Sequence, residues 1–255
     1  MSDAWRNSFK GKTIVVSGAS SGIGRAVAVR LAHEGAGLVL IGRNRERLEE
    51  TARQAANGNC RLLELDLSRH DAIMPAIQEV SAAIGRLYGL CHAAGTVETL
   101  SLSGTTPEKL QTMMQVNYLG GVELARAICR REILEEDGGS ILFISGVYAI
   151  IGKPGQIAYS GSKGAVTSAA RAMAIEVARR RIRVNVLSPG MVRTEMTEKA
   201  FSRLTAAQIR DLEDSHPLGF GSPQDVAHAA AFLLSPESRW ITATNLVVDG
   251  GCSAQ

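Results

Sequence analysis

The sequence predicts an α/β fold in which seven parallel strands form one doubly wound sheet within a single domain. Short runs rich in Val, Ile and Leu alternate with longer segments of helical periodicity, and the runs are apolar almost throughout. Such continuous apolar character is typical of parallel strands that helices cover on both faces. No linker, repeat or low-complexity segment interrupts the alternation, so we expect all 255 residues to belong to one domain.

The elements follow one another in a regular order. The strand candidates are residues 13–17, 37–41, 61–65, 87–92, 140–145, 183–187 and 245–248. The helix candidates between them are residues 23–34, 44–56, 70–84, 107–135, 158–180 and 223–234. Only the stretch at 190–222 breaks the alternation, because it is long and carries a short helical pattern of its own. We expect this stretch to form a lid over a substrate.

Composition excludes several classes of function. Lysine and arginine number 28 against 25 aspartates and glutamates, and the net charge of +3 is too small and too scattered for a nucleic-acid surface. The four cysteines lack metal-binding spacing, so no metal site is expected. No apolar run approaches the ~18 residues of a membrane span, and the N-terminus lacks a signal-peptide core. We expect a cytoplasmic protein that binds neither nucleic acid nor membrane.

A glycine-rich segment, "SGASSGIG" at residues 17–24, joins the first strand to the first helix. Its glycines allow a tight turn that brings main-chain N–H groups towards a phosphate at the positive end of the helix. Because a strand precedes it and a helix follows it, we predict a nucleotide-binding loop rather than a plain turn. The predicted cofactor-binding residues here are Gly18, Ser20, Ser21, Gly22, Ile23 and Gly24.

The end of the second strand indicates which dinucleotide binds. The stretch "LVLIGRN" places Arg43 and Asn44 where an adenosine ribose should lie, with no carboxylate there to hold a free 2′-hydroxyl. An arginine can instead pair with a 2′-phosphate, and Arg47 is a possible helper. NADP(H) is therefore favoured, while NAD(H) remains possible if Arg43 is only a solvated loop charge.

Two further strand ends point towards the same ligand. Asp66 and Leu67 end the third strand, and Ala93, Ala94 and Gly95 end the fourth. Ligands of open α/β sheets bind beyond the carboxyl ends of the strands, so these residues are expected near the adenine and ribose. Asp66 could equally be the N-cap of the helix that follows it.

A tyrosine and a lysine stand four residues apart in "AYSGSKGAV". Tyr159 and Lys163 therefore share one face of a helix. A phenol titrates near 10 in water, and a neighbouring ammonium group favours the phenolate and lowers that pKa. We predict that Tyr159 acts as a proton donor or acceptor in the cofactor cleft.

In order, the motifs "SGASSGIG", "HAAG", "VNYLGG", "YSGSK", "LSPGMVRT" and "VVDGG" resemble those of the short-chain dehydrogenases/reductases over essentially the whole chain. The resemblance implies a single Rossmann-type domain, usually a homotetramer, that moves a hydride between NAD(P) and a carbonyl or alcohol. It implies that Tyr159 transfers the proton and that Lys163 binds the nicotinamide ribose and tunes the tyrosine. Asn117 would hold a water linking Lys163 to solvent. Around the carboxamide and pyrophosphate would lie Pro189, Gly190, Val192 and Thr194.

One departure from the family pattern concerns catalysis. The family's catalytic serine lies thirteen residues before the tyrosine, and that position here is Gly146. Ser145 is one residue further away, and a one-residue step on a strand turns a side chain to the opposite face. We predict that a bulge at the strand end re-aims Ser145 into the site. Otherwise Tyr148, a water or a group of the substrate takes its place. The family's N-N-A-G is also replaced by "HAAG", which removes a bracing side-chain amide.

These features favour an oxidoreductase that transfers a hydride between NADP(H) and a carbonyl or secondary alcohol. The alternative is a cofactor-binding sensor or complex subunit with little catalysis, which Gly146 favours. The predicted pocket carries few fixed charges, so an uncharged, moderately apolar carbonyl compound is expected. Acyl-carrier thioesters are one option, for which residues 179–181 ("RRR") would supply a basic rim.

The resemblance also favours a homotetramer or homodimer. Long helices that bear small or apolar outward residues are candidates for pairing across a twofold axis. The candidate contacts include Leu124, Ile128 and Met173, whose alternative role is ordinary burial against the sheet.

Overall fold

A parallel sheet runs through the computed structural model, which describes residues 8–55 and 59–254. Within these residues the sheet has seven strands in the order β3-β2-β1-β4-β5-β6-β7, and each neighbouring pair is parallel. The predicted doubly wound parallel sheet is thereby confirmed. The strands are β1 Thr13–Ser17, β2 Gly37–Gly42, β3 Cys60–Glu64, β4 Gly89–His92, β5 Gly139–Ile144, β6 Ile182–Pro189 and β7 Asn245–Val248.

Helices cover both faces of the sheet. They are α1 Gly22–His33, α2 Arg45–Ala55, α3 His70–Ile84, α4 Pro107–Met114, α5 Gly120–Ile128, α6 Ile157–Val177, α7 Glu195–Phe201, α8 Ala206–Asp214 and α9 Pro223–Leu234. Residue 56, the predicted end of the second helix, lies outside the described residues. Among the described helices, none combines the length and the apolar character that a membrane crossing needs.

The predicted helix over 107–135 is interrupted and ends early. A π-helical turn, Gln115–Leu119, separates α4 from α5. Beyond α5 the chain turns and pairs with Leu87, two residues before β4, instead of continuing as a helix: Leu87 N donates to Ile133 O at 2.8 Å, and Glu135 N donates to Leu87 O at 3.0 Å. The sequence pattern does not show this tertiary pairing, which satisfies main-chain groups that a longer helix would have satisfied internally.

Two hydrophobic clusters, one on each face, hold the layers together. The first contains Leu31 of α1, Leu48 of α2 and Ala230 of α9, and the second contains side chains from α3, α5 and α6. Leu124 and Ile128 belong to the second cluster and are fully buried, so they face the sheet and cannot form the expected contacts between subunits.

The strand ends are aligned at one edge of the sheet. Ser17 at the end of β1 lies beside Ile41 of β2 and His92 of β4, and Ile144 at the end of β5 lies beside Leu187. The chain runs outward from β1 through β2 to β3 and then crosses to β4 on the other side of β1. This reversal creates a crevice between the carboxyl ends of β1 and β4, where ligands of such sheets bind.

The segment 190–222 follows β6 and contains α7 and α8. Its two ends are joined by a parallel bridge between Val192 and Gly221. Phe201 of α7 stacks on Phe220, with ring centroids 5.3 Å apart. The segment therefore has a small apolar core of its own above the carboxyl edge of the sheet.

Candidate active site

The glycine-rich loop is packed so closely that side chains would not fit. Gly18 has φ +68°, and a Cβ there would lie 2.7 Å from Cα and N of Ala94. A Cβ on Gly24 would lie 2.2 Å from Gly18 O. Ser21 is the N-cap of α1 and makes no side-chain cap, so its hydroxyl leaves the N–H groups of the first helical turn available to an anion. The predicted residues Ser20, Gly22 and Ile23 lie in the same loop and turn.

The end of the crevice where we predicted the adenosine lies beyond β2 and β3. Arg43 is exposed and has no ion pair within 4 Å among the described residues. Asn44 Oδ1 accepts a 2.8 Å bond from Arg47 N at the start of α2. Asp66 Oδ1 accepts bonds of 3.0 and 2.9 Å from N and Oγ of Ser68, and these bonds, helped by Arg43, hold its pKa below the ordinary value.

The suggestion that Asp66 is a helix N-cap is wrong. The helix α3 begins at His70, four residues further on, and Arg69 is its N-cap. Leu67 is buried, and its main-chain oxygen packs against α5, where a Cβ on Gly120 would lie 2.7 Å from it. Asp66 remains beyond the carboxyl end of β3, with its carboxylate held by a short turn.

A buried histidine joins β4 to β1. Ser17 Oγ accepts a 3.3 Å bond from Ala94 N and shares a 2.8 Å hydrogen bond with Nδ1 of His92. Burial lowers the pKa of His92 to about 3, so the ring is neutral and Nδ1 can accept. This bond braces the strands from which Ala93 and Gly95 follow, and it offers a physical substitute for the missing family amide.

Asn117 connects the end of β4 to α6. Its side chain is fully buried within the π-helical turn, and Nδ2 donates to Thr96 O at 2.9 Å and to Ser162 Oγ at 3.0 Å. Its Oδ1 accepts a 2.8 Å bond from Thr96 N. Because both amide N–H groups are engaged by protein, a water between Lys163 and solvent would have to be held by another atom of Asn117.

Tyr159 and Lys163 lie one helical turn apart near the start of α6. Lys163 is 4% exposed, and its Nζ donates to Ile144 O at 2.8 Å. Burial lowers the pKa of Lys163 to about 8. The Tyr159 hydroxyl lies 3.5 Å from Ser145 O, and burial, followed by the neighbouring Tyr148, raises its pKa to about 12.

This direction is opposite to the expectation that the amine lowers the pKa of the phenol. The Lys163 ammonium lies 5.9 Å from the centre of the Tyr159 ring and is bound to a main-chain carbonyl. At that separation, desolvation of the phenolate outweighs the attraction of the amine.

Ser145 does not enter the cleft, and the predicted bulge is absent. The strands β5 and β6 stay in register from Gly139 beside Ile182 to Ile144 beside Leu187, and Ser145 N continues the ladder by donating to Leu187 O at 2.8 Å. The Ser145 hydroxyl donates to Lys163 O at 3.1 Å and lies 3.1 Å from Thr167 Oγ1. It faces the backbone of α6, as the ordinary alternation of a strand dictates.

The position of the family serine is filled by the tyrosine itself. A Cβ on Gly146 would lie 2.5 Å from the Tyr159 hydroxyl. Tyr148 follows in the short helical turn Val147–Ala149 and is half-buried. The cleft thus brings two phenols together beside a glycine.

The segment after β6 closes the other side of the crevice. Pro189 ends the strand, and a Cβ on Gly190 would lie 2.8 Å from Cα of Asp249. Val192 is buried, and Thr194 is the N-cap of α7, with its hydroxyl accepting from Thr197 N. A Cβ on Gly22 would lie 3.3 Å from Cγ2 of Thr194, so this segment meets the glycine-rich loop directly.

Two residues that the sequence analysis did not select join the segment 190–222 to the rest of the site. Glu195 forms an ion pair with Arg47 across the crevice. His216 is buried, and its Nε2 accepts a 3.0 Å bond from Met191 N while Nδ1 donates to Leu212 O at 2.9 Å. The only sequence signal for Glu195 is an acidic residue after a threonine cap, which is common at helix starts.

The expected basic rim lies elsewhere. Arg181 directly precedes β6 and pairs with Asp137 at 3.1 Å, at the amino edge of the sheet. Tyr159 lies at the cleft in the first turn of α6, and the length of this helix carries the chain about 30 Å away before residues 179–181. These arginines therefore do not surround the entrance.

Comparisons with known proteins agree with this geometry. A family model described as enoyl-(acyl carrier protein) reductase matches residues 18–253. The human 3-oxoacyl-[acyl-carrier-protein] reductase is 37% identical over 246 residues, which cover 94% of this chain and 97% of that protein.

Solved structures show the same fold. A short-chain type dehydrogenase/reductase from Mycobacterium ulcerans superposes with a TM-score of 0.90 at 30% identity, covering 97% of this chain and 91% of the other. Carveol dehydrogenase from Mycobacterium avium, solved in complex with NAD, has a TM-score of 0.90 at 28% identity, covering 96% and 99%. With the whole fold, the crevice and the matched family model in agreement, the chain belongs to the short-chain dehydrogenase/reductase family of oxidoreductases.

Proposed function

We propose that this oxidoreductase uses NADP(H) to reduce a ketone carbonyl to a secondary alcohol, with Tyr159 as the proton donor. The observation that carries the proposal is the position of the Tyr159 hydroxyl and the buried Lys163 amine at the carboxyl edge of the sheet, beside the crevice between β1 and β4. A nicotinamide dinucleotide fits there, because the first turn of α1 has no side-chain cap and Arg43 has no ion pair within the described part of the chain.

In this proposal Tyr159, Lys163 and Asn117 have separate roles. A bound nicotinamide would supply the hydride. Tyr159 would donate its proton to the carbonyl oxygen, and because burial raises its pKa to about 12 the phenol still carries that proton at neutral pH. Lys163 would bind the nicotinamide ribose, while Asn117 fixes the loop after β4 against α6.

A second donor to the substrate oxygen is needed, because Ser145 faces α6. We assign this role to Tyr148, which lies close enough to Tyr159 to affect its pKa. Its hydroxyl makes no hydrogen bond to any other residue that the structure describes. It is therefore available to a ligand.

For the substrate we propose a 3-oxoacyl thioester or a related uncharged ketone. The support is the name of the human relative, a 3-oxoacyl-[acyl-carrier-protein] reductase.

We further propose a cytoplasmic homotetramer or homodimer. Light scattering tests the oligomeric state, because it would give a mass of four or two times 27.1 kDa.

The experiment is NADPH and NADH oxidation, followed at 340 nm with a panel of 3-oxoacyl thioesters and ketones. We expect turnover with NADPH. We expect Arg43→Gln to lower kcat/KM for NADPH about ten- to a hundredfold and to change kcat/KM for NADH little, because a charged hydrogen bond to the 2′-phosphate is lost.

A second candidate, a cofactor-binding sensor or complex subunit without catalysis, is favoured by the orientation of Ser145. Tight cofactor binding without turnover of any substrate would support that candidate instead.

A further inference from the structure

The first residue of the lid helix α7 reaches across the crevice to two other helices. The Glu195 carboxylate pairs with Arg47 of α2, and Oε1 lies 4.0 Å from Nη1 of Arg25 on α1. Arg25 is itself fixed, since Nε donates to Thr51 Oγ1 at 3.1 Å and Nη2 donates to Ser20 O at 2.6 Å. One carboxylate thus lies between two guanidinium groups at the mouth of the cofactor crevice.

The two arginines that flank the adenosine end differ in their partners. Arg43 directly follows β2 and has no ion pair among the described residues, whereas the Arg47 guanidinium one helical turn further on is neutralised by Glu195. A 2′-phosphate placed beside Arg43 would be a second anion near Arg47, and like charges at short range repel. The phosphate and Glu195 would therefore compete for the same guanidinium.

We propose that Glu195 is a specificity-determining residue, whose carboxylate competes with the 2′-phosphate of NADP(H) for Arg47 and so reduces the preference for NADP(H) over NAD(H). This inference rests on the proposed cofactor function. NAD(H) carries no 2′-phosphate and leaves the pair between Glu195 and Arg47 intact. NADP(H) binding exchanges that pair for a contact between the phosphate and Arg47, which also frees the start of α7 from α2.

The expected change in NADPH affinity follows from the solvent exposure of the pair between Arg47 and Glu195. The side chains of Arg47 and Glu195 are 44% and 47% exposed, so solvent screens their attraction. Exposed pairs of this kind change an equilibrium by about two- to fivefold. Removing the carboxylate should therefore tighten NADPH binding by that factor and leave NADH almost unchanged.

Isothermal titration of the full-length protein with NADPH and with NADH tests the proposal. We expect Glu195→Gln to lower the Kd for NADPH about two- to fivefold and to leave the Kd for NADH unchanged. In an Arg47→Gln background, Glu195→Gln should leave the Kd for NADPH unchanged, because the guanidinium for which the two anions compete is gone. Glu198→Gln is the matched control, since Glu198 lies on the same helix but faces Arg193 at 3.6 Å.

The proposal is overturned if Glu195→Gln weakens NADPH binding or leaves it unchanged, if both cofactors shift equally, or if the effect persists without Arg47. Failure of the proposed cofactor preference is a separate result, seen as tighter binding of NADH than of NADPH by the wild-type protein. A selective gain in NADPH affinity in Glu195→Gln would support the role of Glu195 even then.

Discussion

At the residue scale, the Tyr159 hydroxyl, which we propose as the proton donor, occupies the space that a side chain at Gly146 would need. The spacing of Tyr159 and Lys163 was enough to predict that they share a helix face near the cofactor crevice. The directions of their pKa shifts were not predictable, because they depend on how deeply the two groups are buried. The Ser145 side chain points towards α6, as the ordinary alternation of a strand requires, so the predicted bulge was wrong.

Gly146 is expected to be essential for the position of Tyr159. A Cβ at this residue would lie 2.5 Å from the phenol oxygen, so Gly146→Ala should displace the hydroxyl by about an ångström and lower kcat roughly a hundredfold. Steady-state kinetics measure this, with Gly164→Ala as the control, since a Cβ there has nothing within 4 Å. Full turnover in Gly146→Ala would show that the tyrosine does not react from this position.

Tyr148 is expected to supply the second hydrogen bond to the substrate oxygen. Tyr148→Phe should lower kcat by about a hundred- to a thousandfold without changing the Kd for NADPH, which is the typical cost of one lost oxyanion donor. Tyr118→Phe, outside the proposed site, is the control. Unchanged turnover in Tyr148→Phe would assign the role to a water or to the substrate itself.

Lys163 should make stability depend on pH. Its pKa falls from 10.5 to about 8 on folding, so the unfolded chain binds more protons between these values. The cost of burying the charged amine is complete below pH 8 and disappears as the pH rises towards 10.5. The free energy of unfolding of the wild type minus that of Lys163→Met should therefore rise by at most about 1.4 kcal/mol per pH unit across this window.

Urea denaturation at pH 7 and pH 9.5 measures that difference. Lys153→Met, at an exposed lysine, is the control and should show no such trend. A difference that stays constant between the two pH values would mean that Lys163 keeps its ordinary pKa in the folded protein.

At the scale of elements, the positions of the strands and of most helices could be predicted from the apolar runs and the helical periodicity between them. The full helix over 107–135 was not confirmed, because Ile133 and Glu135 pair with Leu87, just before β4. Tertiary hydrogen bonds of this kind leave no local pattern in a sequence. The π-helical turn that buries Asn117 was likewise not predictable from periodicity.

The end of α9 depends on one buried arginine. Arg183 of β6 is 8% exposed, and its two terminal nitrogens donate four bonds of 2.7–3.2 Å to the main-chain oxygens of residues 233–235 and to Ser238 Oγ. Arg183→Met leaves these buried acceptors unpaired and should lower the free energy of unfolding by about 3 kcal/mol or more. Urea denaturation checks this against the exposed Arg179→Met. Equal stabilities of the two variants would contradict this role for Arg183.

At the scale of the whole molecule, one edge of the sheet gathers the proposed chemistry. Parallel strands place all their carboxyl ends together, so the glycine-rich loop, Arg43, Asp66 and Tyr159 could be assigned to one crevice from the order of elements alone. Distances across that crevice required the structure. The contact of Thr194 with Gly22 and the pairing of Glu195 with Arg47 join segments far apart in the chain.

The length of α6 places residues 179–181 away from the entrance of the crevice, where the basic rim was predicted. The arginines at 179–181 follow Tyr159 and Lys163 in sequence, but α6 carries the chain to the opposite edge of the sheet before it reaches them. The two ends of a helix of 21 residues lie about 30 Å apart, so residues that follow one end of it are far from residues at the other.

The central claim, that the Tyr159 hydroxyl donates the proton, is tested most directly by the turnover of Tyr159→Phe with NADPH and a 3-oxoacyl thioester that the wild type reduces. Loss of a proton donor predicts a kcat lower by about a hundred- to ten-thousandfold, with a much smaller change in the Kd for NADPH. A Tyr159→Phe enzyme that keeps wild-type kcat would contradict the account.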